Sequence, residues 1–536
     1  MMRAHTNGDG ARRLRRIRDR VAWAVLGALL LTHGALFWSW IQRDSQPGRS
    51  ICCDLVGPVA ERAGAAGLRA VGGGPRPWTP DRGWLPSLAV DAIDALGGDP
   101  DGLLLVGAAG ILLGMLAVFD LGRRLGGPLA GVVAAAVLPC VPALAIAGRR
   151  WDVYGTQAGL LSLAAWALVC SRSLSRPLPA LLFAGLSAAG AFLSPRETDG
   201  FLVVAALGAM GLGAGLRGLI QGEGPSGEET PRWRVILGGV VVVGLVAWAL
   251  TTWVRFTSPE GLGYYLRETG HNTAKVDPAS WAHRSAVVGR LFWRDLTPWL
   301  AIPIEAAALL WLARGKGRAE IGAWVLFPLI ALSLLPKKNH YYASVLLPAL
   351  PLVLGLGVAA LPGRWVRRGV ACAIVLVATT QLIARTDPAG PVSRAVGPVS
   401  WQGGDATWGQ VFQTSDGDMK LAPDLDDRGA PSLAEATMRA WPRDWCGCGV
   451  ATRTRGPGPW SAVNLYTLGE RPCLPVKQGG PLHDAAVVLV SEDVRGEDVD
   501  SLTREGLPHV DTVWAGDAQV RVHARPDAWA EARCGP

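Results

Sequence analysis

Long apolar stretches, separated by short polar stretches that carry arginine, recur through the first three quarters of the chain. A helix crossing about 30 Å of hydrocarbon needs about 20 apolar residues in a row. Runs of that order lie near Val21–Ile41, Gly102–Leu121, Leu129–Ile146, Gly155–Cys170, Leu178–Leu193 and Phe201–Leu219. The series continues near Val235–Val254, Pro298–Ala313, Gly322–Leu335, Ala343–Leu361 and Gly369–Ile383. The pattern predicts a mainly α, polytopic membrane helix bundle of about eleven spans. After residue 384 the period changes. Short alternating segments at Ala485–Val490, Val510–Trp514 and Val520–Ala524 read as strands of a small α+β domain.

Charge orients the spans. Arginines fall in alternate short loops, at Arg12 to Arg20, Arg123 and Arg124, Arg172 and Arg176, Arg217 to Arg234, Arg314 to Arg318, and Arg364 to Arg368. Positive residues in short loops mark the cytoplasmic side. The reading that follows has a cytoplasmic basic segment at 1–20, a membrane domain at 21–383 and an extracytoplasmic domain at 384–536. Two loops, 42–100 and 255–297, also face outward. The first apolar run is too long for the core of a signal peptide and reads as a retained anchor. With 50% hydrophobic and 18% charged residues, the composition fits an integral protein of the plasma membrane. The net charge of +8 is then mostly a topology signal, and no basic–aromatic interleaving points to nucleic acid.

Cysteine use agrees with this orientation. Cys446, Cys448, Cys473 and Cys534 lie in the tail, where four cysteines allow three pairings, and Cys52 and Cys53 lie in an outward loop. Cys140, Cys170 and Cys372 fall in apolar spans and read as inert core residues. No histidine stands at finger spacing from Cys446 and Cys448, so a disulfide is favoured over zinc.

An ionisable residue near the membrane is costly and marks a functional candidate. Asp54 opens an amphipathic stretch, Leu55 to Val71, that would lie along the outer interface, where Asp54 acts either as a helix N-cap or as a site carboxylate. Arg149, Arg150 and Asp152 stand at the outer end of the third span, against the positive-inside trend. They form either a surface ion pair or an anion site. Arg196, Glu197 and Asp199 repeat the pattern between the fifth and sixth spans, and Glu305, near the start of the eighth, reads either as a buried polar partner or as a site residue. Asp424, Asp426 and Asp427 sit in a Pro/Gly-rich segment without a nucleotide-binding context. Lys337-Lys338-Asn339-His340-Tyr341-Tyr342, between two apolar runs, offers cations and hydroxyls to an anionic head group, or else interfacial anchors.

The order of these features resembles the GT-C membrane glycosyltransferases that use polyprenyl-phosphate sugars, among them protein O-mannosyltransferases, aminoarabinose transferases and lipopolysaccharide sugar transferases. Asp54 matches that family's acidic residue after the first span. Asp81-Arg82-Gly83-Trp84-Leu85-Pro86 stands where the family often has acidic-Lys-Pro-Pro-Leu, and the Pro-Pro is absent. Asp152 matches an acidic residue at the outer end of the third span, and Ser194-Pro195-Arg196 resembles an apolar-Thr-Lys step. The Lys337–Tyr342 hexapeptide followed by Leu347-Pro348-Ala349-Leu350-Pro351 resembles Lys-x-x-x-Tyr then Leu-Pro-x-x-Pro, which the family places near the lipid phosphate.

The resemblance implies an inverting transfer of a sugar from a polyprenyl-phosphate donor to an envelope lipid, glycan or protein on the outer face. It assigns Asp54 as general base and Asp152 as second acid or orienter. Arg82, Lys337, Lys338, Tyr341 and Tyr342 would bind the lipid phosphate, with Arg149, Arg150 and Arg196 behind them and Asp81 beside Arg82. No cofactor is implied, and a divalent metal stays open. A transporter or flippase, or a non-catalytic glycolipid-binding protein, remains the alternative. In an enzyme the charges should converge on one outward cavity; in a transporter they should line a path through the midplane.

Overall fold

The computed structural model describes residues 6–41, 102–148, 154–171, 176–192, 206–211, 288–289, 291, 295–314, 319–334 and 344–386. In the tail it describes 436, 439, 450–453, 477–478, 487–491, 496–515 and 518–526. The helices described in the first part include α1 (Thr6–Ile41), α2 (Gly102–Gly126), α3 (Pro128–Val137), α4 (Pro142–Ala147), α5 (Tyr154–Cys170), α6 (Pro177–Phe192), α7 (Pro298–Ala313), α8 (Ala319–Leu334), α9 (Ala349–Ala360) and α10 (Arg364–Thr386). Among the described residues, Ile17–Ser39, Leu105–Gly126 and Arg364–Ile383 are long and apolar enough to cross a membrane. The other apolar helices are shorter.

Proline explains two differences from the spans read in the sequence. The third apolar run is three pieces: α3, a tight turn at Leu138–Cys140, and α4. Pro139 and Pro142 lack an N–H and crowd the preceding turn, and with two prolines three residues apart the helix breaks here, whereas α7 and α8 run on through the single prolines Pro303 and Pro328. The tenth run starts as a tight turn at 344–348 and becomes helical only after Pro348. Gly127 and Gly363 take positive φ, 95° and 72°, where the chain reverses into α3 and α10.

Packing centres on α2 and α9. α2 lies against α3 and α5, and α9 lies against α7, α3 and α2; α1 packs on α2 and α3, and α10 on α3. One continuous apolar core runs through these helices. Large apolar side chains also face outward, among them Leu31 and Trp38 of α1, Leu309 and Leu312 of α7, Phe327 and Ile330 of α8, and Leu376 of α10. An aliphatic coat outside an apolar core is what hydrocarbon solvent allows.

The structure revises two readings. Cys372 is exposed on α10 rather than buried, while Cys140 is buried and Cys170 half-buried, because the apolar face of a helix in lipid need not be its packed face. Glu305 is exposed on α7 and is no buried polar partner.

The tail holds a five-stranded sheet in the order β2-β1-β3-β5-β4. Its strands are β1 (Val450–Arg453), β2 (Lys477–Gln478), β3 (Val487–Ser491), β4 (His509–Ala515) and β5 (Ala518–Ala524). β1 pairs in parallel with β2 and β3, whereas β5 runs antiparallel to β3 and β4. One helix, α11 (Gly496–Arg504), crosses between β3 and β4, and Leu502 and Leu507 pack on Val488 and Val490. Three strands fall where period-2 alternation puts them. β1 and β2 are too short to show it.

Candidate functional site

The two ends of the bundle differ in chemistry. At one end Asp120, buried on α2, accepts hydrogen bonds from the Arg123 and Arg124 guanidiniums and from Trp166 Nε1 of α5 at 2.8 Å. The spacing i, i+3 and i, i+4 puts both arginines on the same face as the acid. The Arg123 guanidinium also lies 5.8 Å from the Trp23 ring of α1, and Trp23 meets Phe119 edge-on at 4.8 Å. One carboxylate thereby ties α1, α2 and α5 together. Gly126 abuts Leu356 and Ala359 of α9, so α9 ends here and α10 begins here with Arg364, Arg367 and Arg368. Arg18 and Arg20 of α1 and Arg176 before α6 belong to the same end, and Arg385 alone of the arginines in α1–α10 belongs to the other.

At the opposite end glycine contacts, which also join α2 to α3 through Gly122 and Gly131 at the arginine end, combine with neutral polar bonds and with the buried Asp295 just before α7. A side-chain carbon on Gly110 or Gly159 would collide with the backbone of the facing helix, and one on Gly155 would come 2.5 Å from the Gly107 carbonyl oxygen. α2 and α5 therefore touch backbone to backbone, the arrangement small residues permit in membranes. Thr156 Oγ1 adds a bond to the Val106 carbonyl at 2.9 Å. Ser344 Oγ donates to Gln157 Oε1 at 2.9 Å, both side chains buried, which joins the start of α5 to the turn before α9. Trp324 Nε1 of α8 donates to the Val345 carbonyl at 2.9 Å. Gly148, at the end of α4, lies against Phe37 near the end of α1 and Ile111 of α2. On the other side of α9, Thr297 Oγ1 donates to Gln381 Oε1 at 3.0 Å, and Gln381 Nε2 is buried with no partner. Thr297 holds φ +64°, a conformation a β-branched residue adopts only under constraint.

The sequence-based site residues Asp54, Asp81, Arg82, Arg149, Arg150, Asp152, Arg196, Lys337, Lys338, Tyr341 and Tyr342 all lie outside the described residues. The helix ends that adjoin several of them do not. Asp54 follows α1 in the chain, Arg149 to Asp152 lie between Gly148 and Tyr154, and Lys337 to Tyr342 lie between α8 and Ser344. Those boundary residues meet at the glycine-built end: Phe37 on Gly148, and Ser344 on Gln157. Among the described residues no group of three or more His, Cys, Asp or Glu side chains is placed to hold a metal ion.

Residues the sequence reading passed over now stand out: Asp120, Gln157, Ser344, Thr297, Gln381, and His33 of α1, which is buried with Nδ1 unpartnered. Asp120 was findable from its acid-then-arginine spacing inside an apolar run. Gln157 and Ser344 are 187 positions apart, and nothing local pairs them.

Residues 83–224 match the family model described as dolichyl-phosphate-mannose-protein mannosyltransferase. The structure resembles ArnT from Cupriavidus metallidurans in the apo state, with TM-score 0.54, 14% identity, and 95% of this chain and 99% of that one covered. Against ArnT bound to undecaprenyl phosphate the TM-score is 0.53 at 14% identity, with 96% and 99% covered. The oligosaccharyltransferase AglB from Archaeoglobus fulgidus gives 0.36 at 11% identity over 88% of this chain and 69% of that one, too low to bear on the fold. No curated protein matches the sequence. The family match thus covers residues 83–224 alone, while over nearly the whole chain the fold is similar to that of ArnT.

Proposed function

We propose that the chain moves a sugar from a polyprenyl-phosphate donor to an envelope acceptor at the outer face of the plasma membrane. The observation that carries this reading is the meeting of Phe37 with Gly148 and of Ser344 with Gln157. It brings the chain ends that adjoin Arg149–Asp152 and Lys337–Tyr342, and the end of α1 from which the chain continues toward Asp54, to one end of the bundle. Arginines gather at the opposite end, so the positive-inside rule assigns the glycine-built end to the outside. The ArnT relative is seen bound to undecaprenyl phosphate, a lipid carrier of the class proposed here.

In this scheme an acceptor hydroxyl attacks the anomeric carbon as the bond from that carbon to the phosphate oxygen breaks. The proton passes to the Asp54 carboxylate, and the polyprenyl phosphate leaves. Asp152 orients the acceptor. Lys337, Lys338 and Arg82 neutralise the charge that builds on the departing phosphate, with Tyr341 or Tyr342 donating to it. Arg149, Arg150 and Arg196 support the same anion. The described buried carboxylates Asp120, Asp295 and Glu320 each lie within two turns of a helix terminus rather than at the midplane, and of the three Asp295 belongs to the proposed end.

The test reconstitutes the full chain in vesicles with a radiolabelled polyprenyl-phosphate sugar and an envelope extract. Asp54→Asn should lower transfer on the order of 10²-fold or more while lipid-phosphate binding persists. Lys338→Ala should weaken that binding first. Transfer at the wild-type rate by Asp54→Asn would remove the base, and label crossing the membrane without transfer would favour the flippase.

A further inference from the structure

The first turn of α10 carries a charged patch that neither the packing nor the proposed reaction uses. Arg364 and Arg368 place their guanidiniums 5.2 Å and 5.6 Å from the centre of the same Trp365 ring, one from each side of it in sequence. Trp365 is 68% exposed, the most exposed tryptophan among the described residues. Arg367 stands between them, its Nε on the Gly363 carbonyl at 3.4 Å. No carboxylate among the described residues pairs with any of the three arginines, whereas Arg123 and Arg124 at the same end share Asp120. The helix that follows, Arg364–Ile383, is one of those long and apolar enough to cross a bilayer.

We infer that this turn is a docking site for the head group of an acidic phospholipid. Three unneutralised guanidiniums sit where the helix enters hydrocarbon, at the depth of lipid phosphates. Guanidinium is the cation suited to bidentate bonds with phosphate oxygens. Trp365 prefers the interface, where its ring meets acyl carbons and its N–H meets head groups, and it holds the two flanking guanidiniums in place by cation–π attraction. The occupant is thus a lipid whose phosphate carries a full negative charge with no cationic head group to cancel it, such as phosphatidylglycerol. The inference rests on α10 crossing a membrane and is independent of glycosyl transfer.

The test follows thermal unfolding of the purified full chain in neutral detergent micelles titrated with phosphatidylglycerol, phosphatidylcholine or inorganic phosphate. Phosphatidylglycerol should raise the midpoint, and the other two should not. Each arginine near an acidic lipid contributes about five-fold in affinity. Arg364→Gln with Arg368→Gln should therefore shift half-saturation roughly 25-fold upward, with the lipid-free midpoint unchanged because both side chains are exposed. Trp365→Leu, which keeps every charge, should give a smaller loss. Arg18→Gln with Arg20→Gln, at the same end of the bundle, should leave half-saturation near wild type. The site is overturned if the two arginine pairs shift alike, if phosphatidylcholine protects equally, if inorganic phosphate substitutes for the lipid, or if phosphatidylglycerol has no effect.

Discussion

The two ends of the helix bundle solve the same problem, joining helices where polar groups meet lipid, by different chemistry. At the arginine-rich end a single carboxylate, Asp120, is answered by Arg123, Arg124 and Trp166, and charge locks the helices. At the opposite end the bonds that join helices are between neutral side chains, Gln157 with Ser344 and Thr297 with Gln381, while close glycine contacts serve both ends, Gly155 on Gly107 here and Gly122 on Gly131 beside Arg123. That end also retains a buried unpartnered donor on Gln381 and a Thr297 in an unfavourable backbone conformation. A saturated ion network suits a structural end. Neutral bonds with unspent capacity and local strain suit an end that handles a ligand, since such features concentrate at functional sites.

The largest effect should come from the glycine seam. Gly155→Leu sets a branched side chain against the Gly107 backbone and should cost about 3 kcal/mol or more, leaving little monodisperse protein on size exclusion. Gly185→Leu on α6 faces open space, has no backbone to displace, and should behave as wild type. Equal yields from the two would mean that α2 and α5 do not rely on close approach.

Next comes the ion network. Asp120→Asn keeps an acceptor for Trp166 but leaves two guanidiniums without their counter-charge, and should cost about 2 kcal/mol in a detergent unfolding titration. Transfer per folded molecule should hold, because the network lies at the end away from the proposed site. A fall in turnover with stability intact would erase the contrast between the ends.

The neutral pair should be worth less in stability and more in activity. A double-mutant cycle of Gln157→Leu and Ser344→Ala should give a coupling of about 0.6 kcal/mol, typical of hydrogen bonds between membrane helices. Turnover should fall by more than that coupling accounts for, since the bond joins the segments that lead to Asp152 and to Tyr342. A loss of turnover no greater than the loss of stability would reduce the pair to packing.

The smallest effect lies outside the bundle, in the tail sheet. His523 is fully buried on β5, with Nδ1 at 3.1 Å from the Leu507 carbonyl and Nε2 unpartnered. Burial pushes its pKa below the ordinary 6.5, and the neighbouring His509 and Arg521 push the same way against the Leu507 bond. The unfolded chain therefore takes up the proton first as the pH falls. The stability His523 contributes is complete above about 6.5 and is lost as the pH drops through the lower folded value. Unfolding of the tail should show this acid loss, and His523→Leu should flatten it. An unchanged pH profile in the variant would assign the effect elsewhere.

Much of the architecture is legible in the chain because lipid imposes simple rules. Among the described residues the apolar runs coincide with helices, and strands β3, β4 and β5 show through their alternation; the run Val235–Val254 lies outside those residues. Reading Leu129–Ile146 as one span misses the break of the third run at Pro139 and Pro142, and proline alone does not decide it, since α7 and α8 run on through Pro303 and Pro328. The outward face of Cys372 and Glu305 is not legible either. When the solvent is itself apolar, hydrophobicity no longer separates the packed face of a helix from the free one.

The sequence by itself determined a membrane helix bundle with a mixed tail, its polarity of charge, and the chemical types available for holding a lipid phosphate. Those depend on composition and local period. Only the tertiary structure decided that the starts of α5 and of the turn before α9 meet through Gln157 and Ser344, that α2 and α5 touch through glycine, and that Asp120 serves one end while Thr297 and Gln381 serve the other. Contacts between residues tens to hundreds of positions apart arise from how the helices pack, and no local pattern in the chain encodes which helix faces which.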